Sequence, residues 1–210
     1  MNRDTRAELI TAIAELQEEA ALDLVRQRLA DGDDPLQIVE DCQAGLMKVG
    51  ERYEQGEYFL AGLVMGGEIF RQVMKLVEPV VERQLSGDDS GYILLGTVQG
   101  DIHSLGKMIL SLLLSCNGFT VDDLGVDVPP AQFAARAKET SPDVIALSGL
   151  LTSSYESMRE TVRALRETGI TVPIIIGGGQ LSAGVCEYVG ADYWTTDAVD
   201  GLEICRRLAD

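Results

Sequence analysis

Two patterns of apolar and polar positions divide the chain. Up to about residue 84 the apolar residues recur at helical spacing, as in Leu36, Ile38, Val39, Cys42, Leu46, Met47 and Val49. Asp34 followed by Pro35 reads as an N-cap and first-turn proline for that helix, and Gly32 as the stop of the helix holding Leu22, Val25 and Leu29. Further helices cover about Asp4 to Leu16 and Phe59 to Gln84. The last is expected to bend or break near Pro79, because proline lacks the helical donor and clashes with the preceding turn. Four such helices make a small bundle. Within the last one, Gly66-Gly67 costs about 1 kcal/mol per glycine relative to alanine, so close helix packing or a ligand surface should compensate.

From Tyr92 onward the pattern changes to short apolar runs at Tyr92 to Val98, Thr120 to Leu124, Val144 to Leu147 and Val172 to Ile176, each followed by an amphipathic segment. A weaker run spans Ala191 to Trp194. Near-continuous apolar strands alternating with helices predict a parallel sheet covered on both faces. In a doubly wound sheet of about five strands ordered 2-1-3-4-5, the crevice lies outside the carboxyl ends of strands one and three. Between the two patterns, Ser86 to Gly91 contains no apolar residue and reads as a linker. The predicted organisation is a helical domain over residues 1–88 and an α/β domain over residues 89–210.

The only histidine, His103, falls at the carboxyl end of the first strand, within Gly100-Asp101-Ile102-His103-Ser104-Leu105-Gly106-Lys107. An aspartate two residues earlier and a helix-opening glycine three residues later would orient one ring nitrogen and expose the other, as a metal-ligating imidazole requires. A solvated loop histidine is the plainer alternative. Ser148 to Ser154 follows the third strand and Gly177-Gly178-Gly179-Gln180 follows the fourth, so three loops converge on one sheet edge. The triple glycine would let a flat or bulky ligand approach the backbone, or would serve only as a strand-to-helix turn.

Composition narrows the function. A formal charge of −17 repels phosphate backbones and anionic lipid, which argues against nucleic-acid and membrane partners. Although 46% of residues are hydrophobic, no stretch approaches the roughly 18 apolar residues of a membrane span. The first residues lack an apolar signal core, which points to the cytoplasm. Cys42, Cys116, Cys186 and Cys205 are far apart without zinc spacing and read mostly as buried small hydrophobes, not disulfide partners.

Taken together, Asp101-x-His103-x-x-Gly106, Ser148-x-Leu150 and Gly177-Gly178, preceded by a helical domain, resemble the corrinoid proteins of methyltransferase systems and the cobalamin-binding module of cobalamin-dependent methionine synthase. The resemblance covers nearly the whole chain, and its motifs are specific in combination. It implies a four-helix cap followed by a flavodoxin-like, five-stranded cobalamin-binding domain. His103 would ligate cobalt from below in place of the cofactor's own base. Asp101 would accept the other ring N–H, and Ser154 would extend that relay unless it is only the N-cap of its helix. Methyl-cobalt favours a lower ligand and the reduced cob(I) state releases it, so a chain able to share a proton suits both.

By the same resemblance Gly100, Ile102, Ser104 and Gly106 lie beside the cofactor. Ser148, Leu150 and Thr152 would line the pocket for its nucleotide tail, Gly177, Gly178 and Gly179 would bracket the nucleotide, and Ala198 is a further contact. Phe59 and Leu60 would shield the upper face of the corrin, or serve the core of their own helix. The family's aspartate after the histidine and asparagine after the lysine are here Ser104 and Met108, and the proline and glutamate expected after Leu60 are Ala61 and Gly62. These departures put partner contacts and upper-face shielding in doubt, not cofactor binding.

The function implied is a methyl carrier, without catalysis of its own, holding methylcobalamin or a related corrinoid. A donor-side methyltransferase would methylate it, and an acceptor-side methyltransferase acting on tetrahydrofolate or coenzyme M would demethylate it. A reductive activation protein completes the expected partners, and the linker is the expected hinge between them. A cobalamin-dependent regulator is the alternative, but neither a basic DNA-binding domain nor a second histidine is present. An adenosylcobalamin mutase would need a substrate-holding barrel, and a receiver or nucleotide-binding module would leave the helical domain and the Asp101–His103 pair unexplained.

Overall fold

A computed structural model describes residues 3–84 and 90–209, and most of the predicted linker, Ser86 to Asp89, lies outside the described residues. The chain packs as two compact units, Met1–Gln84 and Leu85–Asp210. Among the described residues, the first unit contains α1 (Arg3–Ala14), α2 (Glu18–Ala30), α3 (Pro35–Glu54) and α4 (Leu60–Gln84). Asp34 caps α3 as predicted, its Oδ1 accepting from the Leu36 amide at 3.0 Å. Gly32 follows α2 in the left-handed region, φ +82°. Leu9, Ile13, Val25, Ile38, Val49 and Phe70 are buried in the core of the unit.

Pro79 does not break α4, which runs uninterrupted to Gln84. Val77 and Val81 on either side of it are buried, and burial of such side chains, about 1.5–3 kcal/mol each, offsets the lost helical bond. Close packing explains Gly66: a Cβ there would lie 2.7 Å from Leu46 Cδ1 on α3. Gly67 meets nothing within 4 Å, so packing accounts for only one of the pair.

The second unit comprises β1 (Tyr92–Thr97), α5 (Leu105–Ser115), β2 (Thr120–Asp123), α6 (Pro130–Thr140), β3 (Val144–Ser148), α7 (Ser154–Glu167), β4 (Ile174–Gly177), α8 (Ala183–Val189), β5 (Tyr193–Thr195) and α9 (Ala198–Ala209). The strands form one sheet in the predicted order β2-β1-β3-β4-β5, with every pairing parallel. Side-chain alternation sends Leu94, Ile145 and Leu147 to one face with Phe133 of α6, Met158 of α7 and Cys186 of α8. Ile93, Leu95 and Ala146 go to the other, with Leu114 of α5 and Cys205 of α9. The connections therefore leave β1 and β3 toward opposite faces, which opens the predicted crevice. β4 begins at Ile174 instead of Val172, since Pro173 has no N–H for the ladder and contributes only its carbonyl, to the Ile145 amide at 3.0 Å.

Candidate functional site

The loop after β1 is built around a turn. The Asp101 amide donates to the Val98 carbonyl at 3.1 Å, with Gly100 third in the turn at φ +83°, a conformation that favours glycine. The turn places the Asp101 side chain in the interior, 0% exposed, at the junction of two loops. Its Oδ1 accepts from the His103 amide at 2.9 Å and lies 2.7 Å from His103 Nδ1. Its Oδ2 accepts from the Leu150 amide at 2.7 Å, the Leu151 amide at 3.1 Å and the Ser154 hydroxyl at 2.7 Å. The Thr97 hydroxyl donates to the His103 carbonyl at 3.1 Å and ties the far end of the loop to β1.

Burial works to raise the pKa of Asp101. The His103 amide, the Ser154 hydroxyl, the His103 ring and the Leu151 amide outweigh it and hold the carboxyl well below the usual carboxylate range. An anionic oxygen at Nδ1 selects the Nδ1–H tautomer, which leaves the Nε2 lone pair directed away from Asp101 on a side chain 48% exposed.

The other loops meet at the same sheet edge. The Gly149 amide donates to the Gly177 carbonyl at 3.0 Å, and the Gly178 amide to the Thr195 carbonyl at 3.2 Å. A Cβ on Gly178 would stand 1.9 Å from the Gly149 carbonyl oxygen, so this glycine exists for backbone packing. Gly106 and Gly177, by contrast, have nothing within 4 Å of the missing Cβ, and Gly179 only Leu150 Cδ1 at 3.6 Å. Gly178→Ala should therefore lower the stability of the apo protein by about 3 kcal/mol, while Gly177→Ala leaves its thermal midpoint nearly unchanged. Equal midpoints for the two variants in parallel melts would contradict this assignment.

Ser154 opens α7, whose N-cap is Ser153 without a side-chain cap bond, so the capping alternative for Ser154 gives way to its bond with Asp101. Ser104 is the N-cap of α5 and makes no side-chain cap bond. Ser148 ends β3 opposite Thr97 and Gly177, and Leu150 reaches the site through its amide. Thr152 is exposed and Ala198 opens α9, three residues beyond Thr195 of β5; no bond joins either to Asp101 or His103. Phe59 and Leu60 belong to the helical unit, 81% and 66% exposed. Sequence reasoning missed Thr97, the Leu151 amide, Asp127 (whose carboxylate accepts from the Gly100 amide at 2.7 Å) and the buried Lys107 with its ion pair to Asp123. Only the lysine beside the histidine motif could have pointed to any of these.

Among the described residues no group of three or more His, Cys, Asp or Glu could hold a metal ion. Burial, with the Asp41 charge adding, pushes the Cys42 thiol up to about 12, and burial pushes Cys205 up to about 11, which leaves both poor ligands. A metal at His103 must therefore bring its other ligands with it. A flat, macrocyclic metal complex suits the exposed apolar side chains of Ile102, Leu150 and Leu151 in the two loops that Asp101 joins, and the open backbone at Gly106 and Gly177. No helix among the described residues is long and apolar enough to cross a membrane.

Comparison with known proteins agrees with this chemistry. A B12 binding domain family matches residues 91–203, and a second B12 binding domain family matches residues 5–78. Trimethylamine corrinoid protein 1 of Methanosarcina acetivorans is 36% identical over 94% of this chain and 93% of its own length. The monomethylamine corrinoid protein of Methanosarcina barkeri superposes with a TM-score of 0.86 at 26% identity, covering 99% of this chain and 100% of that one. A cobalamin-binding protein of Desulfitobacterium hafniense DCB-2 is 38% identical with a TM-score of 0.55, covering 97% and 98%. Two B12 binding domain families together match most of the sequence and a trimethylamine corrinoid protein is 36% identical over 94% of it, so the chain belongs to the family of B12-binding corrinoid proteins.

Proposed function

We propose that this protein carries a methyl group on the cobalt of a bound cobalamin, taking it from a substrate-specific methyltransferase and yielding it to a second that acts on tetrahydrofolate or coenzyme M. The observation that carries the reading is the His103 ring, 48% exposed and backed through Nδ1 by a buried carboxylate at 2.7 Å. When bound, the cofactor supplies a cobalt centre that accepts and releases methyl. His103 would hold the cobalt through Nε2, while Asp101 holds its Nδ1 proton and Ser154 donates to the far oxygen of that carboxylate. Gly100, Ile102, Ser104 and Gly106 would lie beside the corrin. Ser148, Leu150, Thr152, Gly177, Gly179 and Ala198 would receive the nucleotide tail. A methylamine is the donor class favoured by the similarity to a trimethylamine corrinoid protein. A reductive activation protein would restore the cob(I) state after adventitious oxidation.

The only imidazole is committed to cobalt, so activation of the donor falls to a partner. Purified holo protein reduced to cob(I) should show no methylcobalamin absorbance on mixing with trimethylamine, and rapid conversion once the donor-side methyltransferase is added. Catalytic methylation by the natural donor without a partner would make this chain an enzyme in its own right.

A further inference from the structure

We propose that Asp127 is a positioning residue for the cobalt-ligating histidine, gripping the turn that aims Asp101 and His103 and so biasing the protein toward the histidine-on state. The proposal rests on His103 being the lower cobalt ligand. Asp127 lies between β2 and α6, apart in sequence from the histidine motif, and holds that motif at two points. Its amide donates to the Asp101 carbonyl at 2.9 Å, and its Oδ1 accepts from the Gly100 amide at 2.7 Å. The Gly100–Asp101 pair is thus held through its first N–H and its last C=O.

Two features make this grip a positioning device and more than a loop contact. Asp127 adopts φ +54°, a left-handed backbone that few residues other than glycine accept, with Asp and Asn tolerating it best. Such a conformation persists only where the surroundings enforce it. Here they do: the Val128 amide donates to the Thr97 carbonyl and the Thr97 amide to the Gly125 carbonyl, each at 3.0 Å. The Gly125 amide donates to Asp123 Oδ1 at 2.9 Å, and the other Asp123 oxygen pairs with buried Lys107 of α5. Asp127 is therefore mounted on a segment tied to β1 and to the helix that follows His103. An imidazole presented by a loop held in advance loses less freedom on binding cobalt than one on a loose loop, so removing the grip should favour the histidine-off state.

The backbone N–H survives any substitution except proline, so the side chain can be tested separately. Asp127→Asn keeps an acceptor and tolerates left-handed φ; Asp127→Gly removes the acceptor and relieves the backbone; Asp127→Ala removes the acceptor and keeps the strain. Full-length holo proteins would be compared by the axial nitrogen coupling of the cob(II) state and by the cob(II)/cob(I) midpoint potential, with apo melts to confirm folding. The Asn variant should match wild type. The Gly and Ala variants should lower the ratio of histidine-on to histidine-off protein by about 3- to 10-fold, the worth of one hydrogen bond, with the potential shifting in the direction set by loss of the ligand. If the Ala variant does not fold, the Asn and Gly variants carry the comparison. Wild-type ratios in the variants lacking an acceptor, or equal losses in Asn and Ala, would overturn the role given to the carboxylate oxygen. Absence of histidine coupling in wild type would instead overturn the ligand reading beneath it, before any variant is compared.

Discussion

Replacing His103 by alanine should remove the axial protein nitrogen from the cob(II) spectrum and weaken corrinoid binding by more than the about 10- to 100-fold that loss of an outer partner costs a metal site. The fold should survive, because the ring is 48% exposed and its only described side-chain bond is to Asp101. Isotopic labelling of the protein decides the origin of the coupling: in wild type it should come from labelled histidine. Coupling from the unlabelled base of the cofactor in wild-type protein would refute ligation by His103.

Asp101→Asn is expected to have the next largest effect, for a geometric reason. Both carboxylate oxygens face donors: Oδ1 the His103 amide and ring, Oδ2 the Leu150 and Leu151 amides and the Ser154 hydroxyl. An amide side chain must turn its NH2 toward one of these groups. Toward Oδ2 it meets two backbone amides that cannot reverse. Toward Oδ1 it meets one such amide and a ring that can respond by moving its proton from Nδ1 to Nε2, the nitrogen required for cobalt. The variant should fold and still bind cobalamin, with the histidine-on to histidine-off ratio lowered about 10- to 100-fold. Ser154→Ala, which removes one of three donors at Oδ2, should change it less. Unchanged cob(II) spectra and midpoint potential in Asp101→Asn would reduce Asp101 to a loop-capping group.

Much of the molecule was legible because it follows from short-range rules. Strands β1, β3 and β4 carry apolar runs that only a doubly covered sheet can bury, and the sheet order placed the His103 and Ser148–Ser154 loops at one crevice. The motif Asp101-x-His103 conveyed its own chemistry, since a hydrogen bond between residues two apart is a local matter. What escaped was non-local or carried by the backbone. The amides of Leu150 and Leu151 reach Asp101 irrespective of their side chains, and Asp127 meets Gly100 only because β2 lies beside β1. Pro79 misled for the opposite reason: a strong local signal was overridden by the burial of Val77 and Val81. The ion pair of buried Arg28 with buried Asp41, and its part-buried partner bond to Asp33, likewise left no periodic trace.

The stitch that Asp101 makes between two loops has a consequence for how the protein is loaded. The amide protons of Leu150 and Leu151 are held by a carboxylate with no solvent exposure, and no part of that bonding requires a bound molecule. They should exchange with deuterated water slowly in freshly made apo protein, at rates governed by opening of the sheet-bearing unit and not by the fraying usual in loops. The rim of the crevice is then already ordered when a corrinoid arrives, so uptake should proceed without a coupled folding step.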